Sequence, residues 1–140
     1  MTTATPLRQR ALPTTTSLRE SAAVAARQGE PLVVMTTLDG CPFCDLVRQH
    51  LVPMRDQGRV HAVQIDIRDR QTALDDFQGR PSTPAEQASR YKARFAPTVL
   101  FLGPGGQELA ERLVGMAVPE LYGGYLDGRL DEARSRLRKA

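Results

Sequence analysis

The sequence predicts an α/β domain, and three stretches carry that expectation. Pro31 to Thr37, "PLVVMTT", is a continuous apolar run of the kind buried on both faces of a parallel sheet. From Phe43, positions 43, 46, 47, 50, 51 and 54 form the stripe of an amphipathic helix, which leads to a second strand at Val60 to Ile67, "VHAVQIDI". A helical crossover makes that strand pair parallel. Gly103-Pro104-Gly105-Gly106 is a hairpin-type turn between Ala96–Leu102, "APTVLFL", and a strand near Glu108–Val114, so an antiparallel pair follows the parallel one.

The remaining elements follow from caps and breakers. Residues 1–16 are rich in Thr, Pro and Ala without apolar periodicity and predict a flexible lead-in, leaving 17–140 as a single domain. Ser17-Leu18-Arg19-Glu20 has the form of a capping box, predicting a helix to Gln28 that Gly29 stops. Residues 68–82 are polar and predict an extended irregular connection. Thr83-Pro84-Ala85-Glu86 is a second capping box with proline at the first helical position, opening a helix to about Arg94. Pro119 opens the last helix, whose face is Leu121, Tyr122, Tyr125, Leu126, Leu130, Ala133 and Leu137. Its glycines, Gly123, Gly124 and Gly128, predict a bend or break near Gly128.

Composition narrows the function classes. At 140 residues, 41% hydrophobic and 25% charged, the chain can build a core without staples. The net charge of +3 comes from scattered arginines. The run Arg134, Arg136, Arg138 and Lys139 has no interleaved aromatic residue, which fits a solvated helix face and not a nucleic-acid surface. No run approaches the roughly 20 apolar residues of a membrane span. The first thirty residues also lack the apolar core of an export signal.

The only two cysteines stand three apart in "LDGCPFCD", residues 38–45. A structural zinc needs four ligands, and the remaining candidates, His50 and His61, lack ligand spacing, so no metal is expected. A redox pair explains more. Cys41 follows a strand and a Gly40 turn, at the N-terminus of the helix that Pro42 begins, where unpaired amides and the helix dipole stabilise a thiolate. Cys44, one turn further in and off the apolar stripe, is close enough to close a disulfide and better shielded. Cys41 is therefore the attacking thiol, and Cys44 resolves the mixed disulfide. The carboxylates Asp39 and Asp45 oppose the dipole and Arg48 offsets part of their effect, which points to a reductant or mild exchanger.

A strand, Cys41-Pro42-Phe43-Cys44, an amphipathic helix and the later stretch Tyr91 to Val99, "YKARFAPTV", together resemble the thioredoxin superfamily, with Gly106 and Gly115 also matching. The resemblance implies a thioredoxin-like fold with a central mixed four-stranded sheet flanked by helices. It also implies that Pro97 is the family's cis-proline facing the cysteines, and that Pro42, Phe43, Ala96, Pro97 and Thr98 form the substrate surface. Ala96 would present its backbone to an extended substrate segment. The implied protein is a monomeric protein-disulfide oxidoreductase with no cofactor beyond the Cys41–Cys44 pair. Its partners would be a disulfide-containing protein and an electron donor that re-reduces the pair.

Several positions depart from thioredoxins proper. Gly40 replaces the tryptophan before the first cysteine, and Met35 and Ala62 replace the buried aspartate and its lysine partner. Another group or water must then take the proton of Cys44. The kink proline is absent, and Pro53 lies further along the helix. The connection at 68–82 and the stretch at 113–130 resemble thioredoxin-related proteins of bacterial sulfur-oxidation systems, which implies a periplasmic protein whose export signal is not in this sequence, with the cytoplasm as alternative. A glutathione-dependent, glutaredoxin-like enzyme and a non-catalytic peptide-binding module are the competing functions.

Overall fold

A computed structural model describes residues 11–139. The elements in chain order are α1 (Leu18–Arg27), β1 (Leu32–Thr37), α2 (Pro42–Asp56), β2 (His61–Asp66), β3 (Leu74–Asp75), β4 (Pro81–Ser82), α3 (Pro84–Arg90), β5 (Thr98–Leu102), β6 (Leu113–Val114) and α4 (Tyr122–Lys139), with a short 3-10 turn at Pro119–Leu121. The main sheet runs β2-β1-β5-β6. Strands β1 and β2 are parallel, and β1–β5 and β5–β6 are antiparallel. The mixed four-stranded sheet and its flanking helices are therefore as the sequence predicts.

Every residue of β1 is buried, because successive side chains enter cores on opposite faces. Val33 and Met35 join Val47, Leu51, Phe101, Leu126 and Leu130 under α2 and α4. Leu32 and Val34 join Leu18, Ala22, Ile65, Ala88 and Leu100 under α1 and α3. A strand enclosed in this way holds its C-terminal end, and the turn after it, in a fixed place.

Several expectations are corrected. Residues 11–16, expected within a flexible lead-in, are tied down: Leu12 is buried, its N–H donates to Gln64 Oε1 at 3.1 Å, and Pro13 O accepts from Gln64 N–H at 3.0 Å. Residues 1–10 of that lead-in lie outside the described residues. Ser17 caps Glu20 N–H as expected, but Ser17 N–H donates to Thr15 Oγ1, so the reciprocal half of that box is supplied from upstream. The connection at 68–82 contains the β3–β4 hairpin, pinned by buried Leu74 and Phe77.

Helix α3 ends at Arg90, because Lys92 takes a positive φ of 54°. The fourth strand is interrupted, touching β5 at Glu108 and pairing again only at Leu113–Val114. Helix α4 continues through Gly128 without a break. Each helical glycine costs about 1 kcal/mol relative to alanine. Burial of Tyr122, Leu126 and Leu130 contributes about 1.5–3 kcal/mol for each large side chain and outweighs that cost.

Candidate active site

The site is assembled where β1 ends. The chain leaves Thr37, turns through Gly40 at φ +73°, a conformation that disfavours any side chain, and enters α2. Cys41 is the N-cap of α2. Its sulfur accepts the Cys44 N–H at 3.2 Å and its carbonyl accepts the Asp45 N–H at 3.3 Å. The sulfur thus occupies the place a Ser or Asp oxygen takes in an ordinary cap, where amides and the helix dipole favour negative charge.

Cys41 and Cys44 form a disulfide, with Cα atoms 5.2 Å apart. Cys41 is partly exposed, whereas Cys44 is fully buried at 0%. The buried face of α2 is Cys44, Val47, Leu51 and Met54. Cys44 therefore lies on the core stripe, and the expectation that it lies off that stripe is corrected. Phe43, expected on the stripe, is instead 53% exposed beside the disulfide.

The second half of the site comes from the loop before β5. Ala96 O lies 3.8 Å from Cys41 Sγ, and the Ala96–Pro97 peptide is cis. Thr36, in the buried middle of the sheet, holds this loop: its hydroxyl donates to Phe95 O at 3.1 Å and accepts from Thr98 N–H at 2.7 Å. Pro97 O accepts the Gly115 N–H at 2.7 Å, which ties the loop to the end of β6. Thr36 and Thr37 are the polar residues at the end of an otherwise apolar buried strand, and a buried hydroxyl there is the sequence signal for such a brace.

Of the expected substrate surface, Pro42, Phe43 and Ala96 come together around Cys41. Pro97 is buried, and Thr98 is buried with its hydroxyl on Phe95 O. Thr98 therefore braces the loop from below and is corrected as a surface residue. Phe95, 62% exposed, is a neighbour that the sequence argument did not single out.

A cavity of about 690 Å³ opens on the other side of Cys41. Asp39, Asp45, Asp66 and Asp69 line it, and Arg48 is the only cation in its wall among the described residues. The Arg48 guanidinium donates to Asp45 at 2.7 Å, to Thr37 Oγ1 at 2.9 Å and to Gln64 Oε1 at 3.4 Å. The Thr72 hydroxyl, with the amides of Thr72 and Gln71, holds the Asp69 carboxyl below the usual carboxylate range.

Met35 and Ala62 pack in the core beneath α2, so the interior there offers neither a carboxylate nor an ammonium at those positions. The His50 ring packs at a tilt against Tyr122, and His61 bonds Gln28. Among the described residues no group of three or more His, Cys, Asp or Glu could hold a metal ion. No described helix is long and apolar enough to cross a membrane.

Comparison with known proteins agrees with this geometry. No curated protein matches the chain by sequence. Among solved structures, oxidised thioredoxin O2 from Arabidopsis thaliana superposes with a TM-score of 0.56 at 15% identity, covering 84% of this chain and 93% of that one. Oxidised mitochondrial thioredoxin 3 from Saccharomyces cerevisiae gives 0.54 at 20% identity, covering 86% and 94%, and Fasciola hepatica thioredoxin gives 0.55 at 15%, covering 84% and 99%. Such likeness establishes the fold. A family model described as a thioredoxin-like domain matches residues 18–128, from α1 through the cysteine pair and the Ala96–Pro97 loop into α4, and on that match the chain belongs to the thioredoxin-like family.

Proposed function

We propose that the protein is a thiol–disulfide oxidoreductase that reduces or exchanges disulfides in extended protein segments. The observation that carries this reading is the asymmetry of the pair: a partly exposed Cys41 sulfur capping a helix, bridged to a fully buried Cys44 and facing the Ala96 carbonyl. In the reduced protein the Cys41 thiolate attacks a substrate disulfide and expels one substrate thiol. The Cys44 thiol then loses its proton and attacks Cys41 in the mixed disulfide, releasing the second substrate thiol and closing the Cys41–Cys44 bond. Two electrons pass to the substrate and a donor must return them.

Ala96 supplies backbone for a short pairing with the substrate segment, and exposed Phe43 and Phe95 supply apolar contact. The carboxylate-lined cavity disfavours glutathione, itself an anion, as the reductant bound beside Cys41, which speaks against the glutaredoxin-like alternative. An accessible attacking sulfur with a shielded partner is not needed by a pure peptide binder. The periplasmic setting rests on the resemblance of 68–82 and 113–130 to sulfur-oxidation proteins, and fractionation of cells carrying the native protein distinguishes it from the cytoplasm.

Insulin reduction tests the function, run in separate arms with a dithiol, with glutathione and with a thioredoxin reductase system. Turnover in the dithiol arm, abolished by Cys41→Ser, is expected. Absence of turnover in all three arms would refute the reading.

A further inference from the structure

The cavity beside Cys41 has a charge opposite to that of the molecule. The chain carries a net charge of +3, yet among the described residues this wall holds four carboxylates against one guanidinium. That guanidinium is already engaged by Asp45, Thr37 and Gln64. Asp39 is exposed and makes no hydrogen bond or ion pair with any described residue. Thr14 and Thr15 from the N-terminal stretch also line it. Its volume of about 690 Å³ falls within the range of roughly 300–1,000 Å³ typical of ligand pockets.

What makes the cavity part of a binding site is the sulfur in its wall. A substrate sulfur must arrive at Cys41, and the substrate chain on one side of it faces Ala96. The cavity borders the same sulfur, next to the residues that flank a substrate cysteine when it reaches Cys41. From this we infer that the protein prefers substrate disulfides flanked by lysine or arginine, with Asp39 and Asp66 as the specificity-determining residues. This inference rests on the oxidoreductase reading and adds the substrate class to it. An exposed carboxylate acts mainly on the rate of encounter, so the preference weakens as salt screens it.

The test uses the full chain, reduced with a dithiol and freed of it, and three peptides of identical length. Each peptide has one cysteine blocked as a mixed disulfide with 2-thiopyridine, and lysine, glutamine or glutamate at the two positions on either side. Each protein molecule reacts once, converting its Cys41–Cys44 dithiol to the disulfide and releasing one peptide thiol and one thiopyridone, whose absorbance is followed. The expected order of the second-order rate constant is lysine, glutamine, glutamate, with a lysine-to-glutamate ratio of about tenfold or more at low salt that falls toward one at high salt. The ratio should shrink several-fold in the double variant Asp39→Asn, Asp66→Asn, and keep its wild-type value in Glu132→Gln on the remote helix α4. Because the ratio is internal to each variant, a general loss of activity does not move it. Equal rates for all three peptides, a preference for glutamate, or an undiminished ratio in the double variant would overturn the inference while leaving the oxidoreductase reading intact. Failure to reduce any of the three peptides would instead overturn that reading, and the inference with it.

Discussion

The sulfur of Cys41 lies 3.8 Å from the carbonyl oxygen of Ala96, 55 residues away in the chain. This contact places the reactive end of α2 against the one stretch of backbone held open by Thr36 and Gly115. A substrate segment laid along Ala96 therefore brings its own sulfur to Cys41 and not to Cys44, which is fully buried.

Cys44→Ser should accumulate mixed disulfides with substrate, and Cys41→Ser should not. In the reduced wild-type protein, alkylation at mildly acidic pH should label Cys41 well before Cys44. Mass spectrometry of peptides after brief labelling reads both, and preferential modification of Cys44 would reverse the assignment.

Charge around the cap sets the poise. Removing a carboxylate beside Cys41, by Asp39→Asn or Asp45→Asn, favours the thiolate. The pH midpoint of Cys41 alkylation should then fall by between a few tenths and one unit, the effect of one exposed charge at close range. Stabilising the reduced form also raises the reduction potential. Arg48→Gln should move both quantities the other way. For the unaltered protein, equilibration against glutathione should give about −270 to −200 mV, and a value near −120 mV would contradict the reductant reading.

Gly115 has φ +68° and donates its N–H to Pro97 O, and a Cβ there would meet Phe95 Cε1 at 3.4 Å. Gly115→Ala should cost about 1–2 kcal/mol from the backbone conformation, a fall in Tm of roughly 4–8 °C. Displacement of the loop that carries Phe95 and Ala96 should also raise KM for insulin more than it lowers kcat. An unchanged KM would separate this loop from substrate binding.

Asp76 is a buried carboxylate that accepts the N–H groups of Arg80 at 2.9 Å and Gln78 at 2.8 Å and pairs with Arg90 at 2.8 Å. These partners, the Arg80 amide foremost, hold it below the usual carboxylate range. A carboxyl whose folded value is depressed stabilises the fold above its unfolded value of about 4, and that contribution is lost as pH falls through the folded value. Wild-type Tm should drop on acidification from near pH 7 to about pH 3. Asp76→Asn should be less stable at neutral pH and lose less on acidification. A parallel loss in both proteins would remove Asp76 from the acid response.

How much of this was legible in the sequence depended on whether local pattern and tertiary context agreed. Strands β1 and β2, the start of α2 and the cysteine chemistry could be read, because apolar runs and a helix cap are local signals. The phase of α2 could not. Phe43 is as apolar as a core residue, but it stands in the first turn, past the end of the sheet, so an apolar side chain there faces solvent at the site. Pattern alone does not separate an apolar residue that packs from one that binds. Leu74 and Phe77 are isolated among polar neighbours, so their hairpin left no periodic trace. Helix α3 stops at a lysine with positive φ, a terminator that composition does not announce. The Asp66 and Asp69 side of the cavity joins Asp39 only because β2 lies parallel to β1 and ends level with it.

The tether of Leu12 and Pro13 to Gln64 also bears on association between molecules. Strand β2 is the outer strand of the main sheet, and an outer strand of useful length is a template on which another chain can add. Here the Gln64 N–H is already taken by Pro13 O, and proline has no N–H to offer a newcomer. At the opposite border β6 is only two residues long. Cutting the chain after Thr16 would strip the first of these safeguards from an otherwise intact sheet, and self-association through β2, visible as concentration-dependent light scattering, is what the uncovered edge would bring.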